Sequence, residues 1–360
     1  MTTIMQAPPI QALESAHWEK LKADWKTLQN QNPKQRIRDG AEQLNVSEAE
    51  LLCTGLGENV IRLKPDFPRI LADLQSAGEV MALSRNQQVV HEKHGVYQNF
   101  SVRGNGMMGL CLGEIDLRVF FGEWKYAFAV EESARSGRRH SLQFFDREGV
   151  AIHKIYQTEK TDSLAWEMIV ARYTELDQSK GIATVILPTP EYPNDGKVAN
   201  AQVIERWESL KDVHQFHGML KKLGISRLES LRLVGTQYAV QLPGKSLEQA
   251  LKLATEFEIP IMLFVHNRGI VQIHTGQLKH LLRTGQWFNV LDPDFNLHAN
   301  TDAISACWLV RRPSVDGTIT SLEIYNHDNE LILTLFGARK PGQPELASWK
   351  TLTEELETSI

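Results

Sequence analysis

The sequence predicts an α+β protein made by internal duplication, with two similar halves that are each a large antiparallel β-sheet with flanking helices. Segments recur in the same order at an offset of about 180 residues in a chain of 360, and self-similarity at a fixed period is a primary sign of repeated architecture. The recurring cores alternate apolar and polar residues over short runs that end in Asp, Asn or Gly. That is the pattern of strands joined by tight turns.

The copies can be followed element by element. LNVSEAEL in the first half matches LGISRLESL in the second, and Ser47 and Ser226 are each placed to cap a following helix. SRNQQVVHEKHG matches VHNRGIVQIHTG, IDLRVFFGEWKYAFAVEES matches FNLHANTDAISACWLVRRP, and SLQFFDREGVAIHKIY matches SLEIYNHDNELILTLF. The last pair reads as a hairpin, Ser141 to Phe145, a turn, then Val150 to Tyr156. Each half closes on an amphipathic helix with a tryptophan, Trp166 or Trp349. Residues 187–202 hold three prolines and few apolar groups, so they read as a linker between a repeat at 1–186 and a repeat at 203–360.

Composition narrows the function classes. With 42% hydrophobic and 23% charged residues the chain can bury an ample core. Its longest apolar runs, around Ile259 to Val265 and Ala303 to Val310, fall far short of the roughly 20 residues that cross a bilayer. The N-terminal residues show no basic, apolar and cleavage regions of a secretion signal. Cys53, Cys111 and Cys307 form no paired motif, so reduced thiols and a cytoplasmic location are predicted. A net charge of -5, from 39 basic and 44 acidic residues, lacks the positive field of a dedicated nucleic-acid binder.

Function is sought where the copies disagree. The sequence predicts a helix from Ser209 to Leu223 with an apolar stripe at Val213, Phe216, Met219, Leu220 and Leu223, stopped by Gly224. His214 lies one residue off that stripe and His217 about 60° further round, so both rings can face one partner. The matching stretch near Gln35 has no histidine. An imidazole there can serve as an axial ligand of haem iron, with Gly218 as a small neighbour one turn on. Both could equally be partly exposed helix residues, because spacing alone names no metal. Arg118 alternates with Leu117 and Val119, is replaced by His298 in the other copy, and reads either as a distal hydrogen-bond donor or as half of a surface ion pair. Arg227, Arg311, Arg312 and Arg339 form a cationic set suited to carboxylates, or a group of solvated side chains.

DVHQF at 212–216, FVHNRGIVQIHTG, WLVRRPSVDGTITSLEIYNHD and LTLFGARKPG closely resemble the hemin-degrading, haem-transport (HemS/ChuS-type) proteins over nearly the whole chain. The resemblance implies two repeated halves with a haem cleft between them, His214 as the axial ligand, and Arg118 of IDLR as the distal arginine. It also implies that Arg227, Arg312 and Arg339 contact the propionates, with Phe336 in the pocket. Thr334 and Phe336 stand where many members have Gln and Tyr. His217 stands where many have a second Phe and is similar to the shuttle-type, PhuS-like members, which makes it an alternative ligand.

Three functions follow from this reading. The first is a haem chaperone that receives haem from an inner-membrane ABC importer and delivers it to haem oxygenase for iron release. The second is a haem-degrading oxidoreductase that uses an external electron donor, with Arg118 catalytic. The third, a haem-responsive DNA-binding protein, rests on basic pairs such as Lys221 with Lys222 and is opposed by the acidic net charge. The sequence leaves a homodimer open.

Overall fold

A computed structural model describes the backbone of residues 10–134, 137–179, 181–212, 215–340 and 342–358. The first half runs α1 (Ile10–Gln31), α2 (Ile37–Gln43), α3 (Glu48–Cys53), β1 (Val60–Leu63), α4 (Phe67–Asp73), β2 (Gly78–Arg85), β3 (Val89–Val96), β4 (Ser101–Arg103), β5 (Met108–Cys111), β6 (Asp116–Phe120), β7 (Tyr126–Ala134), β8 (Gly137–Phe145), β9 (Ala151–Thr161) and α5 (Ser163–Tyr173). The second runs α6 (Asn200–Glu208), α7 (Gln215–Leu223), α8 (Arg227–Leu233), β10 (Ala239–Leu242), α9 (Ser246–Glu256), β11 (Ile261–His266), β12 (Ile270–Gly276), β13 (Leu281–Thr284), β14 (Trp287–Asp292), β15 (Phe295–Asn300), β16 (Ile304–Ser314), β17 (Gly317–Asn326), β18 (Leu331–Gly337) and α10 (Ala347–Thr358). From α2 and α7 onward the two lists answer each other element for element, as the duplication requires.

The strands form two nine-stranded antiparallel sheets, in the orders β1-β7-β8-β9-β2-β3-β15-β14-β13 and β10-β16-β17-β18-β11-β12-β6-β5-β4. Under the repeat one order maps onto the other, and each sheet takes its last three strands from the opposite half of the sequence. In the first sheet β15 lies against β3, with Phe295 opposite Lys93 and Leu297 opposite His91. The chain divides accordingly into two compact units, one of Met1–Ala82, Gly95–Gly113 and Val119–Pro188 and the other of Leu83–His94, Glu114–Arg118 and Thr189–Ile360. Strands β2, β3 and β6 change unit along their length.

Local sequence accounts for the frame of each copy. The Ser47 hydroxyl accepts a hydrogen bond from the Glu50 backbone N–H and the Glu50 carboxylate accepts one from the Ser47 backbone N–H, closing a capping box at α3. Ser226 likewise accepts from the Glu229 backbone at the start of α8. In the second unit, strand alternation sends Cys307, Leu309, Leu322, Ile324, Leu333 and Leu335 to a core shared with α9 and α10, including Trp349. A Cβ on Gly337 would lie 2.6 Å from Trp349, so that close approach requires glycine. The other face carries Ala306, Trp308, Val310 and Tyr325 against helices α6, α7 and α8.

The helix expected from Ser209 to Leu223 is shorter. Ser209 ends α6, residues 210–212 lie outside any helix, and the described part of α7 is Gln215–Leu223. The apolar stripe suggested continuity because α6 and α7 both turn apolar residues, Trp207 and Phe216 among them, into the same core. The C-terminal stop holds: Gly224 has φ +66°, and its N–H and that of Ile225 both donate to the Leu220 carbonyl. The three cysteines are buried and form no disulfide, and burial pushes the Cys53 and Cys307 thiols up to about 12.

Candidate functional site

The site is built on one face of the second sheet, within the second unit. Trp308, Glu323, Thr334 and Phe264 are direct cross-strand neighbours on β16, β17, β18 and β11, and Ser321, Phe336 and Met262 form the adjacent row. Alternation sends Leu322, Ile324, Leu333 and Leu335 to the opposite core, so a glutamate at position 323 has no choice but to face the helix side. Glu323 is fully buried.

Two of the predicted arginines meet there. Arg227 grips Glu323 bidentately, Nε to Oε2 at 2.8 Å and Nη2 to Oε1 at 2.7 Å. Arg312, 2% exposed, donates to Glu323 Oε1 and to Ser321 Oγ. Tyr325 adds its hydroxyl, 2.7 Å from Oε2. Burial alone would raise the Glu323 carboxyl, but the Arg227 and Arg312 charges and their hydrogen bonds hold it well below the usual carboxylate range. Two guanidiniums against one carboxylate leave a surplus charge of +1.

The same arginines hold α7. The Phe216 ring has Arg312 4.3 Å from its centroid and Arg227 5.0 Å from it, a cation–π arrangement strengthened by burial. Phe216, Met219, Leu220 and Leu223 are buried, and on the same helix His217 and Gly218 are exposed. A Cβ on Gly218 would meet nothing within 4 Å, so the surface beside His217 is open. His214 lies outside the described residues.

Beside the charges runs a half-buried apolar strip of Met262, Phe264 and Phe336, with Phe264 and Phe336 edge-on at 5.2 Å. His266 closes it, its Nε2 3.1 Å from the Thr334 hydroxyl. Burial, and then the Arg227 charge, lower the His266 ring to about 4, so it is neutral at physiological pH.

Arg118 points away from the core that takes the fully buried Leu117 and Val119, as alternation predicts. It pairs with Asp116 and donates to the Leu117 carbonyl at 3.1 Å. Burial raises the Asp116 carboxyl, with Arg118 opposing. The order of the second sheet puts β6 next to β12, four strand spacings from β17, or about 19 Å. Arg339 does not share Glu323: it pairs with Asp316 in the β16–β17 turn and donates to the Gln343 carbonyl. Arg311 pairs with Glu357 of α10.

Sequence reasoning missed Glu323, Tyr325, His266 and Phe264. The signal was a glutamate inside SLEIY, where alternation with Leu322 and Ile324 leaves Ser, Glu and Tyr on one face. Among the described residues no group of three or more His, Cys, Asp or Glu side chains could hold a bare metal ion, and no helix is long and apolar enough to cross a membrane.

Known proteins share this arrangement of sequence and fold. A family model described as the haemin-degrading HemS.ChuX domain matches residues 45–173 and 224–356, one stretch in each half. Hemin transport protein HmuS of Yersinia pestis is 39% identical over 89% of this chain and 92% of its own length. Holo-PhuS, a haem-binding protein from Pseudomonas aeruginosa, is 42% identical with a TM-score of 0.91, covering 94% of this chain and 98% of its own. ChuS, a haem-degrading enzyme of Escherichia coli O157:H7, is 33% identical with a TM-score of 0.88, covering 94% of this chain and 99% of its own. The chain therefore belongs to the haemin-degrading HemS.ChuX domain family.

Proposed function

We propose that this chain binds haem and acts as a chaperone in haem-iron uptake, taking haem from an inner-membrane importer in the cytoplasm and delivering it to haem oxygenase. The observation that carries this reading is the surplus +1 of the Arg227–Glu323–Arg312 cluster next to the Met262–Phe264–Phe336 strip. A buried cationic surplus calls for an anion, and a flat apolar ligand with carboxylate arms satisfies charge and strip together. The donor set fits haem on those grounds.

In this reading His214 is the axial ligand and His217, exposed on α7, is the alternative. Arg227 and Arg312 orient a propionate, Phe264 and Phe336 exclude water from the ring, and Arg339 serves a second carboxylate by releasing Asp316. Bound haem would supply the iron centre and, with reductant, its redox chemistry. Similarity to holo-PhuS supports the binding role. The second reading, haem degradation, is favoured by the similarity to ChuS and by Arg118, a permanently charged donor held in place by Asp116.

The experiment is a hemin titration followed by reductant in the presence of catalase. The chaperone reading expects a Soret band that persists and moves to added haem oxygenase. Loss of the band with release of an open tetrapyrrole, abolished by Arg118→Ala, selects the enzyme. Unchanged spectra and affinity in the His214→Ala, His217→Ala double variant would end the ligand assignment.

A further inference from the structure

The first unit carries a buried polar pair that its copy lacks. The Tyr97 hydroxyl lies 2.5 Å from His153 Nε2, and the two residues are 0% and 1% exposed. Trp124, 4% exposed, lies against the same ring, its centroid 6.3 Å from that of His153. Around Trp124 stand Phe67, Phe121 and Phe144, with centroids 4.8 to 5.7 Å away. The repeat puts Leu278, Leu333 and Ile304 at the positions of Tyr97, His153 and Trp124, and all three lie in the aliphatic core of the second unit. One fold thus accepts plain hydrocarbon at these three positions. The first unit instead meets the desolvation cost of a phenol and an imidazole, which their mutual hydrogen bond offsets.

Chemistry distinguishes this trio from other buried polar groups. A phenol loses an electron readily only when its proton has somewhere to go, and an imidazole nitrogen within hydrogen-bond reach is a suitable acceptor. An oxidised indole is a strong enough oxidant to take that electron. Water is excluded on every side, so a neutral tyrosyl radical formed there would be shielded from the encounters that quench exposed ones.

We infer that Tyr97, His153 and Trp124 form a proton-coupled redox site that receives oxidising equivalents. A one-electron oxidant of the radical class removes an electron from the Trp124 indole. The Tyr97 phenol then returns an electron to the indole and passes its proton to His153 Nε2, leaving neutral Trp124, a neutral Tyr97 radical and a protonated His153. One electron from a thiol or ascorbate-class reductant, with the proton passing back from His153 Nε2 to the Tyr97 oxygen, restores the starting state, and the reductant's own proton goes to solvent. The site requires no bound haem.

The test uses the full-length, haem-free protein oxidised by azidyl radicals from pulse radiolysis, followed by absorption and by EPR of frozen samples. The expected result is a tyrosyl component that grows as the indole radical decays and outlives the remaining tyrosyl signal at least tenfold. Tyr97→Phe removes that component, and Trp124→Phe slows its appearance. In wild-type protein exchanged into deuterated water, the long-lived radical should show the hyperfine coupling of a single deuteron held by a nitrogen base. Decay identical in wild type and Tyr97→Phe, or a long-lived radical without that coupling, overturns the proposal. The deuterium measurement stands on the wild-type chain even where a variant fails to fold.

Discussion

The copies place opposite charges at the same station. Glu48 and Arg227 are the first residues of α3 and α8, each directly after its capping serine. Glu48 suits the positive end of a helix dipole, and Arg227 opposes it. In the first unit Glu48 pairs with Lys154 of β9, a neutral and nearly buried couple, and burial, which lowers the Lys154 amine, is outweighed by Glu48. In the second unit Thr334 stands where Lys154 does and Glu323 where Gln143 does, by strand register. Glu323 then has two arginines to serve. The first station closes its own electrostatics and the second is left one positive charge open. On the proposed reading, that difference makes the second copy the one that takes the anion.

The comparison breaks most sharply at Glu323. Glu323→Gln leaves a buried and a half-buried guanidinium without their carboxylate and should cost about 3–5 kcal/mol, read from urea unfolding. By contrast, the double change Glu48→Gln with Lys154→Met removes both charges of the closed pair and should leave stability within about 1 kcal/mol of wild type. Equal losses at the two stations would show that both pairs are merely structural.

A second test separates stability from binding. Arg312→Met together with Glu323→Leu removes one charge of each sign, yet it takes a donor from the open station. A charged hydrogen bond contributes about 1.5–3 kcal/mol, so hemin affinity should fall roughly 10- to 150-fold in a titration of the Soret band. Undiminished affinity would detach the cluster from the ligand.

Acid sharpens the contrast at a smaller scale. Burial is the first cause holding His266 at about 4 and His274, stacked 3.7 Å from Phe295, at about 3, against about 6.5 in an unfolded chain. The unfolded state therefore binds protons that the folded state refuses, so stability rises with pH from about 4 to 6.5 and declines as acid is added through that window. Glu323 begins to contribute its own loss only below about 4.5, where the unfolded carboxyl takes up protons. A decline of about 2 kcal/mol for each ring between pH 6.5 and 4.5 is expected, so that His274→Leu halves the slope. A flat wild-type profile would contradict the neutral, buried state of both rings.

The smallest effect concerns the caps. Ser226→Ala should cost about 1 kcal/mol and Ser47→Ala somewhat more, because only Ser47 has the reciprocal Glu50 bond. Thermal unfolding of the two variants compares them directly.

Reading the chain alone located the duplication, the caps, the closing Trp166 and Trp349 helices and the inward alternation of Leu117 and Val119, since each of these is written in residues a few positions apart. It singled out Arg227 and Arg312 by charge and by the family resemblance. Tertiary structure decided what lies far apart in sequence: that each sheet borrows three strands from the other half, that Glu323 gathers both arginines, and that Arg339 turns instead to Asp316. Periodicity reports which way a side chain faces and never which distant strand lies beside it. Pairing across roughly 200 residues is settled only when both faces of a sheet find cover.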